Sequence, residues 1–413
     1  MGSKIKEIEG SICAPKGFLA SAVSCGIKDP KATRNDLAII YSESATVGSA
    51  VFTQNEVRAA PVRLSSSYLK STEPRAIVVN SGNANACTGH EGMINARAMA
   101  SATSKALKLK QREVQVCSTG IIGVPLPVER IEPKIPQAAA ALGSDLEHAE
   151  AASRAIMTSD TKPKEIAVQT KVNGKMVKIG AIAKGAGMIN PHMATMLCFV
   201  TTDAAVSKAE IEAATKEAVD LSFNRISVDG DMSTNDTVIV IANGAAKNGQ
   251  VTRGGKGSPE FRRALNQVML DLAKKIVSDG ERVTKLVEVQ VRGAASHLDA
   301  ERAARAVANS KLVKCSWNGE DPNWGRVIHA VGYSGARVKE EMVDIYFGGL
   351  LAAKNGLATK TDIEKLSKAV AEPEFTVGID LHIGKGEYTV YTADLSPEYV
   401  LFNREEYALN RKK

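Results

Sequence analysis

One threonine of this chain stands where an alcohol could be turned into a nucleophile. Thr195 lies within KGAGMINPHMATMLCFVTTDA (residues 184–204), where a loop containing glycine and proline gives way to an apolar, β-prone run from Met196 onward. If the bond between Ala194 and Thr195 were cut, the new amine of Thr195 could act as the base for its own hydroxyl. A glycine-rich turn before a strand is more often only a turn. The residues by themselves leave two interpretations, a self-processed nucleophile or a rigid loop.

A hydroxyl and a glycine amide lie side by side in VQVCSTGIIG (residues 114–123). Residues 114–117 predict a strand, and Thr119 and Gly120 follow it. Two such donors form an oxyanion hole when they lie about 3 Å from the carbonyl oxygen under attack. Because Thr-Gly also occurs in many β-turns, the pair alone is weak evidence for that chemistry.

Two further polar residues stand at the ends of predicted helices. Thr158 follows a helical pattern over residues 145–157, and Glu281 follows Gly280 after a helical pattern over residues 258–277. A threonine in this place can simply cap the helix, and an acidic residue at a helix end is usually solvated. Position alone assigns neither of them a chemical role.

An acidic run, DGDMSTNDT (residues 229–237), could at face value hold a divalent cation through Asp229, Asp231 and Asp236. Its spacing departs from the calcium-loop pattern D-x-[DN]-x-[DN]-G…E. We interpret the run as a hydrogen-bonded turn that braces the site, and we predict no metal.

The elements around these residues alternate between strands and helices, which indicates an α/β or α+β fold. Asn173 and Gly174, between alternating apolar residues, predict a hairpin with a type I′ turn over residues 168–183. The other predicted strands are at residues 36–42, 75–80, 238–242, 286–291, 342–347, 375–382 and 387–393, with residues 312–315 extended, and further helices are predicted at residues 91–107, 129–142, 208–221, 296–309 and 361–371.

Composition excludes several classes of protein. With 413 residues, of which 44% are hydrophobic and 24% charged, the chain can bury a large core. The net charge of +7 comes from scattered basic residues, so we predict no nucleic-acid partner. The six cysteines form no C-x-x-C pair and the six histidines no H-E-x-x-H motif, which argues against a metal site. No signal-peptide core and no apolar run near the ~18–20 residues of a membrane span are evident, so we expect a cytoplasmic protein without membrane contact.

Residues 184–204 resemble the processing site of the ornithine acetyltransferase family, the glutamate N-acetyltransferases of arginine biosynthesis, in which a KGxGMIxPxMATML run is cut before the threonine. The resemblance extends over nearly the whole chain, from APKGFL at residues 14–19 to Asn403. Three more motifs carry it: MTSDTKPK at residues 157–164, DGE at residues 279–281 and EDPNWGRVIHAVGY at residues 320–333.

The resemblance implies a fold of stacked β-sheets flanked by helices, similar to N-terminal nucleophile hydrolases but with its own topology. It implies Thr195 as nucleophile and, after cleavage at Ala194–Thr195, an alpha chain (residues 1–194) and a beta chain (residues 195–413). It also implies Thr119 and Gly120 as the oxyanion hole. The substrate-binding residues that it implies are Thr158, Lys184, Thr195, Glu281 and Asn403.

The implied activity is ping-pong transfer of an acetyl group from N-acetylornithine to glutamate. No cofactor is implied, and acetyl-CoA is a candidate second donor. The resemblance further implies a heterotetramer of two alpha and two beta chains. At the C-terminus the sequence departs from the family: an extra residue precedes Tyr407 and no serine or threonine follows it, so only Asn403 is carried over. A related self-processing amidase or aminopeptidase, and an uncleaved non-catalytic relative, are the alternatives.

Overall fold

The computed structural model describes residues 4–190 and 196–411, with side chains described as far as residue 405. The strands are β1 (Lys6–Ile8), β2 (Phe18–Val23), β3 (Leu37–Ser42), β4 (Val47–Phe52), β5 (Ala76–Asn83), β6 (Val114–Ile121), β7 (Lys164–Val172), β8 (Lys175–Lys184), β9 (Leu197–Thr202), β10 (Ile226–Ser227), β11 (Thr237–Ala242), β12 (Leu286–Ala294), β13 (Asp344–Phe347), β14 (Leu350–Lys354), β15 (Leu357–Ala358), β16 (Glu374–Asp380) and β17 (Gly386–Ala393). The helices are α1 (Ala60–Leu69), α2 (Gly89–Leu107), α3 (Val128–Ile131), α4 (Ile135–Ala140), α5 (Leu146–Ala155), α6 (Lys208–Leu221), α7 (Ser258–Ser278), α8 (His297–Asn309), α9 (Lys311–Asn318), α10 (Trp324–Gly332), α11 (Ile363–Ala371) and α12 (Pro397–Arg411).

The chain divides into two compact units. Within the described residues, the first unit comprises residues 4–185, 196–224 and 232–276, and the second comprises residues 186–190, 225–231 and 277–411.

Two stacked sheets form the first unit. One has the strand order β1-β7-β8-β9-β11-β4, and the other has the order β2-β3-β5-β6. All six residues of β9 and all six of β11 are buried, as expected of central strands covered on both faces. Their core joins inward residues of both sheets with Ala149, Ala152 and Ala155 of α5. These alanines recur every three residues, so they present a face of α5 small enough to fit between the sheets.

Helices cover the outer faces of this pair of sheets. Helices α1, α2 and α4 contribute to a second core with β3, β5 and β6. On the other side, α6 packs on β4 and β11. Arg262 of α7 binds Glu210 of α6 across 2.7 Å and ties the two helices together. The prediction of stacked sheets flanked by helices is therefore confirmed.

The predicted hairpin is also confirmed. Strands β7 and β8 pair antiparallel from Lys164–Ala183 to Val172–Lys175. Asn173 and Gly174 have φ angles of 50° and 79°, as a type I′ turn requires at both central residues. The hairpin ends at Lys184, whose paired residue on β9 is Leu197.

The second unit is built on one sheet with the order β10-β17-β12-β16-β13-β14-β15. The prediction that residues 312–315 are extended was wrong, because they lie in α9. The Ser310 side chain caps this helix by accepting the Val313 amide at 3.4 Å. Val313 and Trp317, one helical turn apart, are both buried in the core of this unit. Burial of this apolar stripe stabilises the helix over the extended form.

Candidate active site

The ends of β5 and β6 bring two backbones unusually close together at Gly120. The strands run parallel, and Gly82 pairs with Gly120 where the register shifts by one residue. Gly120 has a φ of +135°, and a Cβ atom added there would lie 2.3 Å from the Gly82 carbonyl carbon. Only glycine fits this position. The neighbouring Ser118 hydroxyl donates to Asn80 Oδ1 at 2.6 Å and holds the two strand ends together.

Lys184, at the end of β8, lies among the threonines that the sequence singled out. Its Nζ donates to Thr158 Oγ1 at 2.6 Å and to Thr119 Oγ1 at 3.4 Å. The lysine is 2% exposed and Thr119 is 3% exposed. The structure thus brings together three of the predicted site residues of the first unit.

Asp160 is the counter-ion of this cluster. Its Oδ2 lies 3.7 Å from Lys184 Nζ, and its Oδ1 accepts from Lys164 Nζ at 2.7 Å and from the Gly185 amide at 2.7 Å. Burial alone would raise the pKa of this carboxyl, but the charges of Lys184 and Lys164 outweigh burial and hold the pKa well below its usual range. Asp160 therefore stays ionised and neutralises part of the buried positive charge.

This arrangement can stabilise a developing negative charge. Because Lys184 donates to the Thr119 oxygen, the hydroxyl proton of Thr119 is left to donate elsewhere. An ammonium group beside that hydroxyl favours the orientation in which it donates to an anion, and a buried, preorganised charge acts more strongly than one in water.

The residue that follows the predicted nucleophile is held in place by Asp236. Met196 donates its amide to Asp236 Oδ1 at 2.9 Å, and its carbonyl accepts from the Thr237 amide at 3.1 Å. Burial raises the pKa of the Asp236 carboxyl well above its usual range, although the Met196 amide and the charge of Lys184 oppose this.

In the second unit, Glu281 and Asn403 lie together. Asn403 Nδ2 donates to Glu281 Oε2 at 3.1 Å, and the Glu281 amide donates to the Ala186 carbonyl at 2.9 Å. The Glu281 carboxylate lies against Gly187, where an added Cβ atom would be 2.5 Å from Oε1. Any side chain at position 187 would push this carboxylate aside.

Asp229 holds the segment that leads towards the predicted cleavage site. Its carboxylate accepts from the amides of Met188 at 2.6 Å and Ile189 at 2.9 Å. Burial raises the pKa of Asp229 to about 6, even though these amides act in the opposite direction. This agrees with our interpretation of residues 229–237 as hydrogen-bonded turn chemistry.

The predicted residues therefore fall into two groups, Thr119, Thr158 and Lys184 in the first unit and Glu281 with Asn403 in the second. Ala194 and Thr195 lie outside the described residues. The sequence motif MTSDTKPK (residues 157–164) contains Asp160, but the motif alone gave this residue no role. An acidic residue that lies between two threonines and is followed by two lysines was the signal that could have identified Asp160 as part of the site.

The described residues contain neither a metal-binding cluster nor a membrane-spanning helix. Across residues 4–190 and 196–411, no group of three or more His, Cys, Asp or Glu side chains is arranged to hold a metal ion. Within the same part of the chain, no helix combines the length and the apolar character needed to cross a membrane.

Known proteins resemble this chain over nearly its whole length. The ArgJ family model matches residues 19–407. The arginine biosynthesis bifunctional protein ArgJ of Geobacter sulfurreducens is 51% identical over 391 residues, which are 94% of this chain and 98% of that protein. Among solved structures, the ArgJ protein of Bacillus halodurans is 39% identical and matches with a TM-score of 0.49 over 50% of this chain and 98% of its own. The ornithine acetyltransferase of Mycobacterium tuberculosis, solved with ornithine, is 35% identical and matches with a TM-score of 0.41 over 46% of this chain and 98% of its own.

Proposed function

Because the chain belongs to the ArgJ family, we propose that it is an acetyltransferase of arginine biosynthesis that moves acetyl from N-acetylornithine to glutamate. Acetyl-CoA is a second donor to be tested in the same assay. The observation that carries the proposal is the contact of Lys184 with both Thr119 and Thr158. Lys184 is also the paired residue of Leu197, two positions beyond the proposed nucleophile Thr195.

The enzyme first activates itself by cleavage. Thr195 Oγ attacks the carbonyl carbon of Ala194, an O–C bond forms, and the C–N bond to Thr195 breaks as its nitrogen takes up the proton lost by the hydroxyl. Water then hydrolyses the ester and releases the Ala194 carboxylate. The freed amine, with a reference pKa of about 7.7–8.0, is the base of the mature enzyme.

Acetyl transfer then takes place in two half-reactions. The amine of Thr195 accepts the Oγ proton as Oγ attacks the acetyl carbon, and the oxyanion accepts hydrogen bonds from the Thr119 hydroxyl and the Gly120 amide. The acetyl C–N bond breaks and the proton passes to the departing ornithine amine. The amine of glutamate then attacks the acetyl carbon of acetyl-Thr195 and loses a proton to the Thr195 amine. The bond between the acetyl carbon and Oγ breaks, the Thr195 amine returns the proton to Oγ, and N-acetylglutamate leaves. Lys184 binds the substrate carboxylate and Glu281 its ammonium group, with Thr158 and Asn403 as further contacts.

Intact mass tests the first step. The wild type is expected as two fragments, the second beginning at Thr195, and Thr195→Ala is expected as one uncut and inactive chain. Repeated hydrolysis of N-acetylornithine to free acetate without glutamate, beyond one equivalent per enzyme, would favour an amidase or aminopeptidase. A folded wild-type chain that stays uncut and inactive would favour a non-catalytic relative and overturn the proposal.

Removing the Thr119 hydroxyl is expected to slow turnover without unfolding the protein. Loss of one oxyanion donor typically lowers kcat about 10²–10³-fold, or ~2.7–4 kcal/mol. Thr119→Val keeps the shape of the side chain, and Thr119→Ser keeps the hydroxyl, so the serine variant is the matched control. If both variants turn over at the same rate as the wild type, Thr119 is not an oxyanion donor.

We also propose that the alpha chain (residues 1–194) and the beta chain (residues 195–413) stay together after cleavage, in a cytoplasmic heterotetramer of two of each. Strand β8 from the first fragment pairs with β9 from the second, which supports their association. Native mass spectrometry of the cleaved protein would give the number of copies. A single pair of fragments at assay concentration would contradict the heterotetramer.

A further inference from the structure

One short segment of the first unit hydrogen-bonds to Ser118 and to Met196. These residues adjoin the proposed oxyanion donor Thr119 and the proposed nucleophile Thr195. This bridging segment, residues 235–237, ends in the first residue of β11. At its start, Asn235 Nδ2 donates to the carbonyl of Ser118 at 2.8 Å and to the carbonyl of Ala84 at 2.6 Å. Ser118 immediately precedes Thr119 on β6. The side-chain amide of Asn235 therefore fixes the backbone that carries the proposed oxyanion donor, Thr119.

The rest of the bridging segment fastens the strand on the other side. The Asp236 carboxylate accepts the Met196 amide at 2.9 Å, and the Thr237 amide donates to the Met196 carbonyl at 3.1 Å. Met196 is thus held through both of its backbone polar groups, and it is covalently bonded to Thr195. Beyond it, β9 continues in register with β11 from Leu197, paired with Thr237.

Burying the Asp236 carboxyl group costs free energy that a purely structural turn would not require. The Asp236 side chain is fully buried, with the Met196 amide 2.9 Å from Oδ1 and the Thr53 side chain as a further polar neighbour. Taking a carboxyl group out of water costs free energy even when hydrogen bonds offset part of that cost. An asparagine or a threonine could accept the Met196 amide without burying a carboxyl group. The presence of a carboxyl group at this position is explained if the exact place of Met196 matters for function.

We propose that Asn235 and Asp236 are positioning residues that hold the backbone next to the nucleophile and the backbone next to the oxyanion donor in fixed register. This inference rests on the proposed function, since it needs Thr195 and Thr119 as the reacting pair. Attack requires reacting atoms about 3–3.5 Å apart, and a displacement of about 1 Å can cost ~10²-fold in rate. Asn235 acts through Ser118, and Asp236 acts through Met196.

The test compares Asp236→Ala with Asp236→Asn in the full-length protein. Alanine removes the acceptor of the Met196 amide, whereas asparagine keeps an oxygen at the same place. For each variant we would measure the rate of self-cleavage, the kcat per cleaved chain and the KM for glutamate. Asp236→Ala is expected to lower kcat about 10²-fold, the cost of misplacement by about 1 Å, with an unchanged KM. Asp236→Asn is expected to restore kcat to near the wild-type value.

Three results would overturn the proposal. Equal kcat for Asp236→Ala and the wild type would mean that Met196 needs no such anchor. Equal loss in both variants would mean that the carboxyl group itself is required, as an acid or a base. A wild type that neither cleaves nor transfers acetyl would remove the proposed function and this inference with it, whereas an active wild type confines any failure to the inference.

Asn235→Ala keeps the proposal testable if Asp236→Ala does not fold. It removes the bonds to Ser118 and Ala84 and leaves the carboxyl of Asp236 unchanged. We expect a lower kcat with an unchanged KM, and circular dichroism would verify that the fold is retained. A folded Asn235→Ala protein with the kcat of the wild type would contradict the role of this residue.

Discussion

Asp160→Asn is expected to destabilise the protein by about 3–5 kcal/mol, the usual cost of removing one partner from a buried ion pair. The Asp160 side chain is completely buried, and the side chains of Lys164 and Lys184 are each only 2% exposed. Without the carboxylate, two ammonium groups would remain in a poorly solvated interior with less compensation of their charge.

Urea unfolding, monitored by circular dichroism, measures this loss of stability. Both tryptophans of the chain, Trp317 and Trp324, belong to the second unit, so their fluorescence follows that unit separately. The matched control is Asp220→Asn, which breaks the exposed pair between Asp220 and Lys216 and is expected to cost less than about 1 kcal/mol. Equal effects of the two substitutions would show that the Asp160 cluster contributes no more than a surface pair.

The same carboxylate gives stability a predictable dependence on pH. The pKa of Asp160 in the folded protein is below the value of about 3.9 expected in the unfolded chain. Its contribution is therefore fully present above that unfolded value and is lost as the pH falls through the folded pKa. The difference in stability between the wild type and Asp160→Asn should be constant near neutral pH and should shrink below about pH 4.

Gly120→Ala is expected to cost about 2–6 kcal/mol, the sum of overpacking and backbone strain. The added methyl carbon would lie 2.3 Å from the Gly82 carbonyl carbon and 2.4 Å from the Asn83 nitrogen. Both atoms belong to the backbone of β5, so they cannot rotate away as the end of a side chain would. Strands β5 and β6 would have to separate at this point.

Gly123→Ala is the control for this substitution. Gly123 also has a positive φ, of +81°, but an added Cβ atom there would meet nothing within 4 Å. It should therefore show only the strain of the left-handed conformation, about 1–2 kcal/mol. Chemical denaturation of both variants measures the difference, and equal losses would mean that the close approach to Gly82 is relieved at no cost.

Local patterns were sufficient where a short segment determines its own structure. The hairpin at Asn173 and Gly174 was predictable because both residues tolerate the positive φ that the turn needs. Residues 312–315 were mispredicted because the pattern over four residues does not distinguish a strand from a buried helix. The cap at Ser310 and the burial of Trp317 make that segment helical, and the burial depends on residues far away in the chain.

The site could be predicted only in part for the same reason. The motifs identified Thr119, Thr158 and Lys184, and the structure places both threonine hydroxyls within hydrogen-bonding distance of Lys184 Nζ. Asp160 was passed over, and Asp236 was interpreted only as part of a hydrogen-bonded turn, because their importance depends on burial and on partners such as Lys184 and Met196 that are distant in sequence. No pattern along the chain shows that Asp236 meets Met196, since 40 residues separate the two.

The pairing of β8 with β9 has a consequence for the thermodynamics of the mature enzyme. The proposed cut lies in the connection between these strands, and their hydrogen bonds do not depend on that connection. Before the cut, unfolding releases one chain and is unimolecular. After such a cut, unfolding would release separate polypeptides that gain translational entropy, so the stability of the cleaved protein would become a function of its concentration. The proposed cleavage would thus exchange a stability intrinsic to one chain for one governed by mass action.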